Sequence, residues 1–142
     1  MSFWDSSAVV PLCINEDRSQ LARKVWRQLT DRNIWRESSV EIASTFARLE
    51  REQILNEASR KKAEKRIRLL EKECNTIPAT ERQIELARTF PSLYGLKTLD
   101  SLQLAAALVW CKEQPKNKDF VSGDAKLLRA AETVGFKIHD LT

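Results

Sequence analysis

The chain has 142 residues, 42% of them hydrophobic, with 24 Lys and Arg against 20 Asp and Glu. That length predicts one domain, residues 1–142, and the apolar content suffices for a packed core, which excludes a disordered chain. No apolar run reaches the roughly 20 residues of a membrane span, and the net charge of +4 permits a polyanionic partner without requiring one.

Taken in order, the chain alternates short strands with helices. A strand is expected over Ser2–Ser6, then a short helix around Val9–Ile14. Ser19 can cap a helix to about Leu29, with Leu21, Val25 and Leu29 on one face. A second strand follows over Ile34–Glu37. Ser38 opens a helix carrying Ile42, Phe46 and Leu49 as its apolar stripe. Ala58–Glu73 reads as a highly charged helix, and Asn75–Pro78 as a third strand. Thr80 caps a helix to about Phe90, stopped with the help of Pro91. Thr98 opens a helix to about Lys112, and Asp119–Ser122 is a fourth strand. Asp124–Val134 is a helix ended by Gly135, and Lys137–Leu141 a fifth strand. Such alternation predicts an α/β fold with a parallel sheet between helices, and a site at the carboxyl ends of the strands.

The residue inventory narrows the chemistry. Cys13, Cys74 and Cys111 are odd in number and scattered, so a structural zinc site is not expected. They read as small buried apolar residues in a reducing compartment. Met1–Asp5 lacks the basic and apolar segments of a secretory signal, which makes the expected location cytoplasmic. His139 is the only histidine, so Ser-His-Asp and Cys-His mechanisms would depend on that one base. Carboxylates are left to carry a reaction.

Four acids fall at strand ends or helix starts: Asp5, Glu41, Asp100 and Asp124. Each has a bland reading. Ser38 and Glu41 fit a capping box, Asp100 suits a helix dipole, Asp124 suits an N-cap and Asp5 an Asx-turn. As a set they have another. A parallel sheet would bring all four to one edge, where like charges demand protons or cations. Mg²⁺ or Mn²⁺ suits an all-oxygen site, and such an ion can activate water and stabilise a reacting phosphodiester. Ser6, Ser7 and Ser122 lie beside two of the acids, either to orient waters and carboxylates or as ordinary turn residues. Arg48 shares a helical face with Glu41 and Thr45, where it would meet a substrate phosphate or pair with an acid.

These residues resemble the motifs of PIN domains, in particular the VapC-type toxins of toxin–antitoxin pairs. Asp5-Ser6-Ser7-Ala8-Val9-Val10 is similar to the family's opening motif, and Glu41-Ile42-Ala43-Ser44 to its second. Leu99-Asp100-Ser101-Leu102-Gln103-Leu104-Ala105-Ala106-Ala107 is close to the third, with Gln103 where many members carry histidine. Phe120-Val121-Ser122-Gly123-Asp124 and the helix after it resemble the last, with Ser122 in place of Thr. The resemblance covers essentially the whole chain. It implies a three-layer α/β/α sandwich with a five-stranded parallel sheet. It implies an endoribonuclease dependent on Mg²⁺ or Mn²⁺, with Asp5, Glu41, Asp100 and Asp124 as metal-site and catalytic residues. It further implies an RNA substrate, a homodimer and a cognate VapB-type antitoxin that covers the active groove.

Other features stay open on sequence alone. Arg60–Arg68 is the densest basic cluster, either a phosphate-binding helix or a solvated face laced with pairs such as Glu57/Lys61 and Glu64/Arg68. Trp26 and Trp35 are core residues or interface anchors. His139 reads as a packing or edge residue of the last strand. Besides the nuclease, two functions compete: a catalytically inactive PIN-like module that binds RNA or protein, and a receiver-type phosphoacceptor domain. The latter expects an acidic pair beside the strand-end aspartate and a lysine after a later strand, neither clearly placed here.

Overall fold

A computed structural model describes residues 1–142. The elements in chain order are β1 (Ser2–Trp4), α1 (Ser6–Cys13), α2 (Ser19–Gln28), β2 (Arg32–Trp35), α3 (Ser38–Arg51), α4 (Glu57–Lys72), β3 (Asn75–Ile77), α5 (Glu81–Ala87), α6 (Phe90–Tyr94), α7 (Thr98–Trp110), β4 (Asp119–Ser122), α8 (Ala125–Val134) and β5 (Lys137–Asp140). The five strands form one parallel sheet in the order β3-β2-β1-β4-β5.

Alternation along the strands builds two cores from one sheet. Phe3, Trp35 and Phe120 face a cluster completed by α5, α6, α7 and α8, including Leu104, Ala131 and Phe136. Their neighbours Trp4, Ile34 and Val121 face the opposite cluster, completed by α1 to α4 through Val9, Ile42, Phe46 and Ile67. Both faces are covered, so the central strands read as continuous apolar runs. Aromatic rings lock the layers: Phe3 stacks on Phe120 at 5.7 Å, and Trp26 meets Trp4 edge-on at 5.0 Å. Trp26 also lies under the Arg32 guanidinium, and Trp35 is buried, so both tryptophans belong to the body of the fold.

The chain builds outward from β1 to β2 to β3, then crosses to the other side of β1 for β4 and β5. Strand order therefore reverses between β1 and β4. Diverging loops at such a reversal leave a crevice at the carboxyl ends of the strands. Asp5 directly follows β1, and Asp124 lies two residues after β4.

Several boundaries differ from the sequence expectation for identifiable reasons. β1 ends at Trp4, because Asp5 takes an extended conformation as the N-cap of α1 and Ser6 is already helical. Ser19 lies inside α2, its hydroxyl donating to the Ile14 carbonyl and accepting from the Glu16 amide. Pro91 does not stop a helix; it sits in the first turn of α6, where a missing N–H is harmless. The stop is Gly95, in the left-handed region at φ 65°. Thr80 and Asp124 do cap α5 and α8 through their side chains, and Gly135 ends α8 at φ 118°. His139 lies in the edge strand β5 and meets Asp119 at 2.7 Å.

Candidate active site

The site begins with how β1 ends. The Asp5 amide donates to the Val121 carbonyl of β4, and its own carbonyl accepts from Ala8 and Val9 in the first turn of α1. This pins the backbone where the strand becomes a helix and leaves the side chain 3% exposed. Ser7 returns one turn later and donates to Asp5 Oδ1 at 2.8 Å. That uses its single proton, so Ser7 Oγ accepts from the Gly123 amide at 2.8 Å and from the Ser122 hydroxyl at 3.2 Å. Ser122 Oγ in turn accepts from the Asp124 amide at 3.0 Å. A continuous hydroxyl chain thus joins the ends of β1 and β4.

A second network holds Glu41. Its Oε2 accepts from Ser6 Oγ at 2.8 Å and from Gln103 Nε2 at 3.1 Å. Gln103 Nε2 also lies 2.9 Å from Ser6 Oγ and 2.8 Å from Ser38 Oγ. One buried amide of α7 therefore ties the starts of α1 and α3 together. The capping box expected of Ser38 and Glu41 does not form. Glu37 occupies the N-cap position without a side-chain bond, and both Ser38 and Glu41 turn to Gln103. The fold has taken two natural capping residues and used them on a neighbouring helix.

Asp100 sits in the first turn of α7, partly buried. Asp124 caps α8, its Oδ1 accepting from the Leu127 amide at 2.9 Å. The charges of these acids act on one another. Burial pushes Asp5 up to about 7, against the Ser7 hydrogen bond, and the charges of Glu41 and Asp100 add to the rise. Burial likewise lifts Asp100 to about 6, helped by the charges of Asp124 and Glu41 and opposed by Lys97 and Lys126. Carboxylates contributed by four separate segments feel one another across the end of the sheet.

A family model described as PIN domain matches residues 3–133. The chain belongs to the PIN domain family. Solved structures with the same fold include a toxin–antitoxin complex from Klebsiella pneumoniae, at TM-score 0.68 and 14% identity, covering 100% of this chain and 98% of that one. Another is VapBC2 from Rickettsia felis bound to a DNA fragment from their promoter, at TM-score 0.66 and 10% identity, covering 98% of each chain. A sequence comparison with curated proteins finds no match.

Within this PIN domain the donor set fits a hard divalent cation. All candidate ligands are oxygens, and burial together with neighbouring acids raises two of the four, a charge burden that a cation would relieve. No three of the side chains are gathered tightly enough to grip an ion by themselves.

Not every sequence candidate joins the cluster. Arg48 pairs with Glu52 at 3.1 Å on the exposed side of α3. On α4, Arg60 pairs with Glu50 and Glu64, Lys61 with Glu57, and Arg66 donates to the Leu12 carbonyl at 2.8 Å. The Glu64/Arg68 pair expected there is replaced by Arg60–Glu64. Of the remaining cations of α4, Lys62 and Lys65 line a cleft of about 590 Å³ near the far end of α1, with Arg23.

Three contributors were not singled out by sequence reasoning. Arg18 reaches from the start of α2 to the Gly123 carbonyl at 3.2 Å and to Glu16 at 3.3 Å. A Cβ on Gly123 would lie 2.2 Å from the Arg18 guanidinium, so the glycine is what admits it. Lys97 and Lys126 stand beside Asp100. None of the three has a motif of its own: Arg18 reaches Gly123 only through the fold, whereas Lys97 and Lys126 lie within three residues of Asp100 and Asp124 in the chain.

Proposed function

We propose that this PIN domain is an endoribonuclease dependent on Mg²⁺ or Mn²⁺, and the toxin of a type II toxin–antitoxin pair. The observation that carries the reading is the Asp5 carboxyl, buried at the mouth of the strand-order reversal and raised to about 7 among three other acids. A buried acid of this kind is costly to ionise, and nothing in the core of the fold requires it.

In this reading Asp5, Glu41, Asp100 and Asp124 would hold the cation. When bound, it supplies a more acidic water and stabilises charge developing on a phosphodiester. The chain's own residues do the rest. Ser7 holds the Asp5 carboxylate in one orientation, and Ser122 and Gly123 hold Ser7. Ser6 and Gln103 hold Glu41. An acid not engaged by the cation can accept the proton of the attacking water. The absence of a second histidine or a reactive thiol is no obstacle, because this hydrolysis needs neither: the cysteines sit in apolar surroundings that push Cys13 to about 12 and Cys74 to about 11.

Two solved structures of the same fold are described as a toxin–antitoxin complex and as VapBC2, which supports an antitoxin as the partner here. An antitoxin segment lying over the acid cluster would block it. The homodimer is carried over from the family resemblance, and the cytoplasmic setting from the scattered cysteines and the sequence of Met1–Asp5. The competing reading is a catalytically inactive module that binds RNA or protein, favoured by Asp124 serving as an ordinary N-cap.

The test is cleavage of a defined RNA pool by the purified chain in Mg²⁺, Mn²⁺ or EDTA. Cuts that need the ion and vanish in both Asp5→Asn and Asp100→Asn are expected. Equal cutting by wild type and variants would end the proposal.

A further inference from the structure

An acidic cluster faces a difficulty with any RNA: it repels the phosphates it must meet. The structure holds two unused cations at the place where that repulsion would be offset. Lys97 is the N-cap of α7, three residues before Asp100. Lys126 lies in the first turn of α8, two residues after Asp124. Both are exposed, and neither takes part in any ion pair or side-chain hydrogen bond of the molecule. The two come together across the loop between α6 and α7. A Cβ on Gly95 would lie 3.3 Å from Lys126 Nζ, so the Lys126 chain lies over the loop that leads through Leu96 into Lys97.

Their positions are unfavourable for the helices themselves. A cation in the first turn opposes the helix dipole, and acids are preferred there. Two such lysines, each at the start of a helix that carries an acid of the cluster, are not explained by local stability.

Resting on the nuclease reading above, we infer that Lys97 and Lys126 form a two-point phosphate grip that seats the backbone of single-stranded RNA over the acid cluster. Each ammonium offers three donors to non-bridging phosphate oxygens, without reading the base. The grip sets where the strand lies relative to the acids. It does no chemistry, and the lysines are binding residues.

The test uses the full chain carrying Asp5→Asn, so that binding is read without cleavage. The probe is a fluorescein-labelled single-stranded RNA of mixed sequence, followed by anisotropy across a salt series. Adding Lys97→Ala and Lys126→Ala together should weaken binding about tenfold and flatten the salt dependence by about 1.4 in log–log slope, two phosphate contacts on a single strand. Lys97→Arg with Lys126→Arg should restore both. Lys62→Ala with Lys65→Ala, on the α4 cleft, should change the slope less than the first pair does.

Unchanged affinity and slope in the Lys97/Lys126 alanine pair would overturn the grip, as would no binding of RNA by the Asp5→Asn chain at all. Failure of the nuclease reading looks different. There the wild type would not cut RNA in any divalent ion, while the lysine dependence of binding persisted. Conversely, a wild type that cuts, with KM unchanged by the alanine pair, would leave the nuclease standing and remove the grip.

Discussion

The Ser7 hydroxyl lies 2.8 Å from the Asp5 carboxylate and 2.8 Å from the Gly123 amide, so one side chain couples the ends of β1 and β4. Its donation opposes the burial that raises Asp5. In Ser7→Ala that opposition is lost while the burial stays. The expected result is a shift of about one pH unit upward in the midpoint for Mn²⁺ binding, from a charge-assisted hydrogen bond of about 1.5–3 kcal/mol partly offset by water. Ser7→Thr, which keeps the hydroxyl, should move the midpoint far less. Calorimetric titration at several pH values reads both.

The raised acids also predict how stability depends on pH without a divalent ion. Asp5 goes from 3.8 to about 7 on folding, so between those values the folded chain holds a proton the unfolded chain has released. Its contribution is therefore fully present below about pH 4 and is lost as pH rises through about 7, an effect of about 4 kcal/mol at most. Asp100, raised to about 6, acts in the same direction over a lower window. Asp5→Asn removes the larger effect. In EDTA, the melting temperature of Asp5→Asn relative to wild type should climb steadily from pH 5 to pH 8. A difference independent of pH would contradict the raised Asp5.

Gln103 should tolerate only residues that can donate. Its Nε2 serves Ser6, Ser38 and Glu41 in a fully buried position. Gln103→Leu leaves the Ser38 hydroxyl without its partner and Glu41 held by Ser6 alone, and is expected to cost about 1–3 kcal/mol of stability. RNA cleavage should fall at least tenfold beyond what unfolding explains, because Glu41 keeps only one of its two side-chain donors. Gln103→His retains a donor of similar reach and should keep most of both. Denaturant unfolding together with cleavage rates separates the two effects.

How much of this was legible in the sequence depends on the kind of signal. The central strands showed because β1, β2 and β4 carry short buried apolar stretches, and the edge strands β3 and β5 showed from their place between helices and turn signals. Thr80, Asp124 and Gly135 announced their caps correctly, since each acts on its own backbone within three residues. Ser19 and Ser38 misled for the opposite reason. Their hydroxyls bond to the Ile14 carbonyl and to Gln103, partners that capping rules do not consider. Pro91 was read as a stop where it begins a helix, a choice that depends on Thr89 and Gly95 rather than on the proline.

The four acids lie at the strand end or helix start that the sequence predicts for each, because the order of elements is a local property of the sequence. Arg18 is brought to Gly123 by the reversal of strand order, which sets β4 beside β1, and no local pattern announces it. Lys97 and Lys126 lie within three residues of Asp100 and Asp124 but carry no motif of their own. Arg48 shows the converse: helical spacing put it on the Glu41 face, and a closer acid, Glu52, claimed it.

The central claim is that four carboxylates from four segments make one site that requires a cation. Calorimetric titration with Mn²⁺ at pH 7.5 tests it most directly, on the wild type and on Asp5→Asn, Glu41→Gln, Asp100→Asn and Asp124→Asn. The account predicts saturable binding by the wild type, weakened at least tenfold in Asp5→Asn and Asp100→Asn, with the smaller losses in the other two. Binding unchanged in all four variants, or no binding by the wild type, would contradict it.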